Sequence, residues 1–385
     1  MTSNTPIGYI LLLAAAAYAA FRTYRILPLK KWFKVLLMVV YALGAAGYML
    51  AVTNSLEWMP MNAATVTYIF GNTWLIFFLY SLMMFVLAEV LRLFGILPAK
   101  VLERSIAGSA VIFGFVIIIM TYGAINYRNI HREELSVNTV KVERPLKIVM
   151  VSDLHLGYHI RRAQLARWVD MINAENPDLV LVSGDIIDRS LRAVKEEGDA
   201  QEFRRIKAPV YACLGNHEYY AGVEESKAFY REAGINLLVD SAAIVCGITL
   251  IGRDDAFNEE RDKIEPVIEK TDPRSYRILL KHRPDTLSEA FKAGVDMQLS
   301  GHLHGGQIWP ATWLVRIENE LGYGYKELYG TRFYVSSGLG IWGGRFRIGS
   351  RCEYLVLELK PAQPQRYSSN LTTVRIQSPI RSRKL

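Results

Sequence analysis

Residues 146–157 read LKIVMVSDLHLG: a nearly unbroken apolar run with one charge, Lys147, then Ser152-Asp153, a histidine two positions on, and a glycine. A short β-branched run of this kind is the pattern of a strand buried on both faces, and the polar residues with glycine mark where it stops. The same grammar recurs downstream. Residues 179–182 run into Gly184-Asp185, residues 210–214 into Gly215-Asn216-His217, residues 277–280 into His282, and residues 295–299 into Gly301-His302-Leu303-His304. Between the first two runs, residues 162–175 have helical spacing, with Leu165, Trp168, Val169 and Ile172 on one face and Pro177 just beyond. Alternating strands and helices predict an α/β domain, preceded by a further half-buried strand at 137–142.

Residues with metal-binding side chains therefore stand repeatedly just past the end of an apolar strand, where a rigid sheet holds loops open to a ligand. Glycines before Asp185, Asn216 and His302 let the backbone turn tightly or approach closely. The chain has seven histidines, and five of them, His155, His217, His282, His302 and His304, fall in these loops. Taken singly, Asp153 or Asp185 is more often a cap or turn residue and His282 a surface or core histidine. Five such loops in succession reverse that reading. His131 and His159 lie outside the pattern and are expected to be non-catalytic.

DLHLG at 153–157, GDIID at 184–188, GNHE at 215–218, His282 and GHLHGGQ at 301–307 resemble the calcineurin-like metallophosphoesterases, over about residues 135–360. The resemblance implies two mixed β-sheets in a sandwich flanked by helices, with two divalent ions at the strand ends. It places Asp153, His155, Asp185 and His304 around one ion, and Asp185, Asn216, His282 and His302 around the other, with Asp185 bridging. His217 would be the catalytic residue, facing substrate. Two ions about 3.5–4 Å apart hold a hydroxide for in-line attack on phosphorus and neutralise the attacking and leaving oxygens. A mixed His, Asp and Asn set suits Mn, Fe, Zn or Ni more than calcium. His217 has the near-neutral chemistry to donate to a phosphoryl oxygen or protonate a leaving group.

Hydrophobic residues make up 51% of the 385 residues, and the excess lies before residue 128. Four apolar stretches, 7–27, 35–53, 66–91 and 106–127, each approach the roughly 20 residues that cross a hydrocarbon core. The expected organisation is a four-helix transmembrane domain at 1–128, the metallophosphoesterase domain at 134–361, and a basic tail at 362–385. Arg22, Arg25, Lys30, Lys31 and Lys34 lie between spans one and two, and Arg92, Lys100 and Arg104 between spans three and four. The 53–65 loop has no Lys or Arg. Basic loops stay cytoplasmic, which places the catalytic domain on the outer face of what the resemblance suggests is a bacterial inner membrane. Polar residues within the spans, Asn72 and Glu89, read as local packing and an interface pair with Arg92.

Cys213, Cys246 and Cys352 are far apart and suggest neither a zinc knuckle nor a disulfide framework. The net charge of +8 gathers beside the apolar segments and in the tail, as expected for a topology signal or anionic lipid. Helical membrane segment followed by DLHLG and GHLHGGQ is similar to bacterial membrane-associated phosphodiesterases, including the UDP-2,3-diacylglucosamine hydrolase-like branch. The chain departs from them at 345–359, RFRIGSRCEYLVLEL. After GHLHGGQ, nine aromatics from Trp309 to Phe346 interleave with arginines. They are expected to form a rim against the bilayer, with Arg345 and Arg347 binding substrate. The leading expectation is a membrane-anchored phosphodiesterase or phosphatase acting on a lipid-linked phosphate or pyrophosphate, with the bilayer as partner and no nucleic acid. A nucleotidase or nuclease is the second reading, and a metal-dependent binding scaffold the third.

Overall fold

The computed structural model describes residues 6–362, so the expected basic tail lies, beyond its first residue, outside the described residues. The four apolar stretches form helices α1 (Pro6–Ile26), α2 (Lys31–Val52), α3 (Met61–Leu93) and α4 (Ile106–Arg128). All four are long and apolar enough to cross a membrane. α3 starts five residues before the apolar run at 66–91 suggests. Its first turns pack on the following domain, where Ala64 and Tyr68 are buried with Tyr158 and Ala193, and burial there does not follow from hydropathy.

Helices in lipid gain little from hydrophobic association and rely on close packing over small residues. α2 and α3 meet in that way. A Cβ on Gly71 would lie 2.2 Å from the Tyr48 backbone nitrogen and 2.4 Å from the Gly47 carbonyl carbon. Glu89 pairs with Arg92 at 2.7 Å, as the spacing suggests, and with Arg22 of α1 at 2.6 Å.

One residue, Asn129, separates α4 from strand β1 (Ile130–Thr139). The strand expected at 137–142 thus begins seven residues earlier. His131, Arg132, Glu133 and Glu134 conceal it, because β1 is an edge strand, and charge is how edges are kept from pairing with other chains. β1 runs parallel to the last strand, β12 (Cys352–Pro361), in a ten-residue register from Ile130↔Cys352 to Thr139↔Pro361.

The remaining strands are β2 (Leu146–Val151), β3 (Leu179–Ser183), β4 (Val210–Cys213), β5 (Asn236–Leu237), β6 (Ser241–Val245), β7 (Ile248–Gly252), β8 (Arg277–Leu280), β9 (Met297–Ser300), β10 (Gly324–Leu328) and β11 (Thr331–Val335). They form two six-stranded sheets in the orders β1-β12-β2-β3-β4-β5 and β10-β11-β9-β8-β7-β6. Both are mixed: β12 is antiparallel to β2 and β7 to β6, while β2, β3 and β4, and β7, β8 and β9, run parallel.

Side chains alternate across a strand. Ile148 and Met150 face the sandwich interior with Leu179, Leu181, Leu250, Ile278 and Leu299, while Val149 and Val151 face outward against Trp168 and Val169 of α5 (Arg162–Ala174). Both faces of β2 are thus covered, which explains its unbroken apolar text. Helices flank both sheets, and the parallel strands carry their loops to one end.

Replacing Gly71 by leucine forces side-chain carbon into the α2 backbone. The expected outcome is a fall of several degrees in the melting temperature of detergent-solubilised protein, measured by intrinsic fluorescence, against little change for Gly114→Leu, whose Cβ position is open.

Candidate metal centre

The loops after β2, β3 and β4 of the first sheet and after β8 and β9 of the second converge. Asp153, His155, Asp185, Asn216, His282 and His304 are buried, and His302 is nearly so. His304 Nε2 lies 3.0 Å from His155 Nε2 and 3.3 Å from Asp153 Oδ1, and His282 Nε2 lies 3.1 Å from Asp185 Oδ2. Ligand-type atoms gather in three groups, Asp153-His155-His304, His155-Asp185-His217 and Asp185-His282-His302. Asp185 joins the second and third, and His155 the first and second, so the three groups are linked and bring together six of the seven expected ligands with His217.

The backbone is strained to achieve this. Asp153, His155, Asp185, His302 and His304 all have φ between 48° and 71°, a left-handed region that residues with a side chain seldom adopt. Glycine supplies the space beside them. A Cβ on Gly215 would lie 2.1 Å from Asp185 Oδ1, and one on Gly301 2.3 Å from Asp153 Oδ2.

Hydrogen bonds then aim each group. His282 Nδ1 donates to the Ser183 carbonyl at 2.7 Å, joining the two sheets and leaving Nε2 to face Asp185. The His302 backbone N–H donates to Asp153 Oδ1 at 3.0 Å, and that of His217 to Asp185 Oδ1 at 2.9 Å. The Glu218 carboxylate accepts from the backbone N–H of Gly215, Asp185 and Ile187, tying the β3 and β4 loops together.

A divalent cation fits this donor set. Asn216 Oδ1 is buried without a hydrogen-bond partner, an arrangement that is costly unless another ligand completes it. Burial holds His302 and His304 well below the usual imidazole range, which keeps them in the neutral form that a metal needs. At Asp185 burial raises the pKa, but the surrounding His282, His217 and His155 outweigh it and keep the carboxylate ionised.

Two residues outside the expected set complete the arrangement. The Asp188 carboxylate, at the end of GDIID, lies 3.3 Å from His155 Nδ1 and 3.2 Å from His217 Nδ1. His217 Nδ1 also donates to the Asp188 carbonyl at 2.9 Å. The second residue comes from the membrane: Tyr68 Oη of α3 donates to Asp188 Oδ2 at 2.7 Å and accepts from the Gly343 N–H at 3.2 Å. Asp188 was legible as a second carboxylate three residues beyond Asp185, whereas nothing in an apolar span distinguishes Tyr68. Asn72, one turn on, donates to the Tyr68 carbonyl at 2.9 Å.

Arg347 is a correction. It is fully buried, and its guanidinium donates from its two terminal nitrogens to the carbonyls of His304 at 2.8 Å, Ser337 at 2.6 Å and Gly340 at 2.7 Å, so it braces the His304 loop and is not exposed to a substrate. Arg345 donates to the His159 carbonyl and lines a cavity that contains none of the ligand set. His159 stacks on Tyr68 with centroids 4.9 Å apart and donates from Nε2 to the Ile341 carbonyl at 2.8 Å; neither it nor His131 joins the metal-type groups. The expected aromatic rim divides: Phe333, Tyr334 and Phe346 are buried, whereas Trp309, Trp313, Tyr325, Tyr329 and Trp342 are exposed.

A family profile described as calcineurin-like phosphoesterase matches residues 146–306. The chain is 28% identical over 366 residues to an uncharacterized metallophosphoesterase of Helicobacter pylori, covering 92% of this chain and 98% of that one. It is 32% identical over 241 residues to another from Aquifex aeolicus, covering 59% of this chain and 91% of that one. A Danio rerio protein named as a transmembrane protein with metallophosphoesterase domain is 32% identical over 234 residues, 56% of this chain and 54% of that one.

His282 differs from its neighbours. Burial lowers its pKa, but Asp185 and Asp153 raise it to about 10, so without metal the ring is protonated at neutral pH. A ligand imidazole must be neutral, so metal uptake displaces that proton and affinity weakens as pH falls. Calorimetry of Mn²⁺ binding at pH 7 in buffers of different ionisation heat is expected to show release of about one proton, lost in His282→Ala.

Proposed function

From the premise that the chain belongs to the calcineurin-like phosphoesterase family, and is a metal-dependent phosphoesterase with four membrane-type helices, we propose that it hydrolyses a phosphodiester, phosphomonoester or pyrophosphate linkage presented by a membrane lipid. The observation that carries the lipid reading is the segment following His304. A short helix, Ala311–Glu318, leaves Trp313 59%, Leu314 43% and Ile317 62% exposed, and Trp309 just before it 50% exposed. Tyr80 Oη, well inside α3, donates to the Trp309 carbonyl at 2.7 Å. The apolar face of this rim helix is thereby pinned beside a membrane span. Tryptophan and aliphatic side chains so placed favour the membrane–water interface.

Asp153, His155, Asp185 and His304 would hold one divalent ion and Asp185, Asn216, His282 and His302 a second. Bound there, the ions would supply Lewis-acid polarisation of the phosphoryl oxygens and lower the pKa of water toward neutrality. The protein's own groups supply orientation and a proton. Asp188 faces His155 and His217 together and fixes both rings. At His217 burial lowers the pKa, but Asp185 and Asp188 outweigh it and raise it above the ordinary value. That shift favours the protonated ring, which is placed to give its proton to the leaving oxygen. Mn, Fe, Zn or Ni fits the mixed donor set.

Sidedness follows the basic loops. Arg25, Lys31, Lys34, Lys100 and Arg104 share one cavity at the end of the helices remote from β1, and the Arg104 N–H donates to the Arg25 carbonyl at 2.9 Å. The positive-inside rule makes that end cytoplasmic and puts the catalytic domain on the outer face.

Two experiments test these assignments. His217→Ala is expected to keep its metal content by elemental analysis and lose about a hundredfold or more in turnover; metal loss would show the role to be wrong. Trp313→Asp is expected to lose hydrolysis of phospholipid in vesicles while retaining Mn²⁺-dependent hydrolysis of a soluble bis-aryl phosphodiester. An equal loss on both substrates would overturn the lipid reading.

A further inference from the structure

A cavity of about 720 Å³ opens where α4 reaches its end and meets α5. Arg128, the last residue of α4, lines it with Arg161, Arg167 and Arg345, and no Asp or Glu is among the lining residues. Arg161 is matched by an ion pair with Glu197. Arg128, Arg167 and Arg345 have no carboxylate within ion-pair distance among the described residues; Arg167 contacts Gln164, and Arg345 the His159 carbonyl. Three guanidinium charges thus face one volume without a counter-ion. The basic cavity at the other end of the helices differs, because Glu103 lines it and pairs with Arg25.

Apart from Gln164, the rest of the lining is mostly apolar, with Tyr127, Ile130, Trp168, Met171 and Leu339. His159 completes it, buried and with Nδ1 lacking any partner. The cavity is separate from the metal centre, since Leu339 and His159 belong to the loops that close behind Asp153 and Asp188. Leu339 donates its N–H to the Ser152 carbonyl at 3.0 Å, and His159 stacks on the tyrosine that holds Asp188.

We propose that this cavity is a binding site for a phosphate-ester anion, held by Arg128, Arg167 and Arg345. Arginine forks grip phosphate oxygens in pairs, and three unmatched forks around one opening fit a single phosphate better than a carboxylate. α4 is a membrane-type helix of 23 mostly apolar residues that ends at Arg128, which sets the arginines at head-group depth. The anion is therefore within reach of two sources, an anionic phospholipid of that leaflet or a free phosphate from the aqueous side. This site is independent of which substrate the metal centre hydrolyses.

The test uses full-length protein in a neutral detergent, with melting temperature as readout and three additions: phosphatidylglycerol, phosphatidylcholine and inorganic phosphate. Phosphatidylglycerol is expected to raise the melting temperature by several degrees, and native mass spectrometry to show it retained. A shift with phosphatidylglycerol but not with inorganic phosphate identifies the lipid as the source; a shift with inorganic phosphate identifies the soluble anion. The variant Arg167→Gln/Arg345→Gln is expected to weaken either effect by at least about tenfold. Arg128→Gln, at an exposed helix end, gives the same reading should the double variant not fold. The proposal is overturned if phosphatidylcholine matches phosphatidylglycerol with no response to phosphate, if no addition shifts the protein, or if the folded variants respond as the wild type does.

Discussion

Three carboxylates, Asp153, Asp185 and Asp188, lie buried within one small volume, and the structure around them is organised by the need to compensate their charge. Removing a carboxylate from water costs about several kcal/mol unless cations or strong hydrogen bonds replace the lost solvation. Here the compensation comes from the His155, His217 and His282 imidazoles, from backbone N–H groups of the same loops and from a serine hydroxyl 2.6 Å from Asp153. The loops take left-handed backbone conformations and rely on glycine to bring these groups close enough. Such strain persists only where the surroundings over-determine it, and two covered sheets with parallel strand ends provide that rigidity.

The membrane helices belong to the same construction. Tyr68 reaches Asp188 from α3, Asn126 of α4 donates to the carbonyls of Arg347 and Ser350 at 2.9 and 2.8 Å, and the Arg347 N–H donates to the Gly123 carbonyl at 3.0 Å. Arg347 in turn braces His304. The path from span to expected ligand is a chain of buried hydrogen bonds, and one residue joins α4 to β1. The helices therefore act as a supporting wall of the metal centre as well as an anchor, and a soluble fragment of the α/β domain would lack the hydroxyl that holds Asp188.

Two exposed faces of the domain differ in chemistry. The rim helix after His304 presents tryptophan and aliphatic side chains, suited to the acyl boundary. The cavity behind His159 presents unmatched arginines over an apolar floor, suited to a phosphate group. Both flank the loops that carry the expected ligands, and this disposition follows from β1 and β12 pairing in parallel so that α4 enters beside the end of the sheet where those loops lie.

The sequence alone carried the strand-and-loop grammar, the seven expected ligand residues, His217 and the four apolar helices. Strand burial and membrane insertion are written locally, in runs of adjacent residues, and the ligand types cannot be replaced by others of similar shape. It left three matters to the tertiary structure. The first half of β1 is hidden because an edge strand needs charge more than hydrophobicity. Arg347 looked like a phosphate-binding arginine because a guanidinium has the same composition whether it faces substrate or backbone carbonyls; its burial among three carbonyls decided the matter. Tyr68 carries no mark in an apolar helix, since its meaning lies 120 residues away in Asp188. Which residues are expected to hold metal was a property of the text. Which groups aim them was decided by contacts between segments distant in sequence, which no local pattern records.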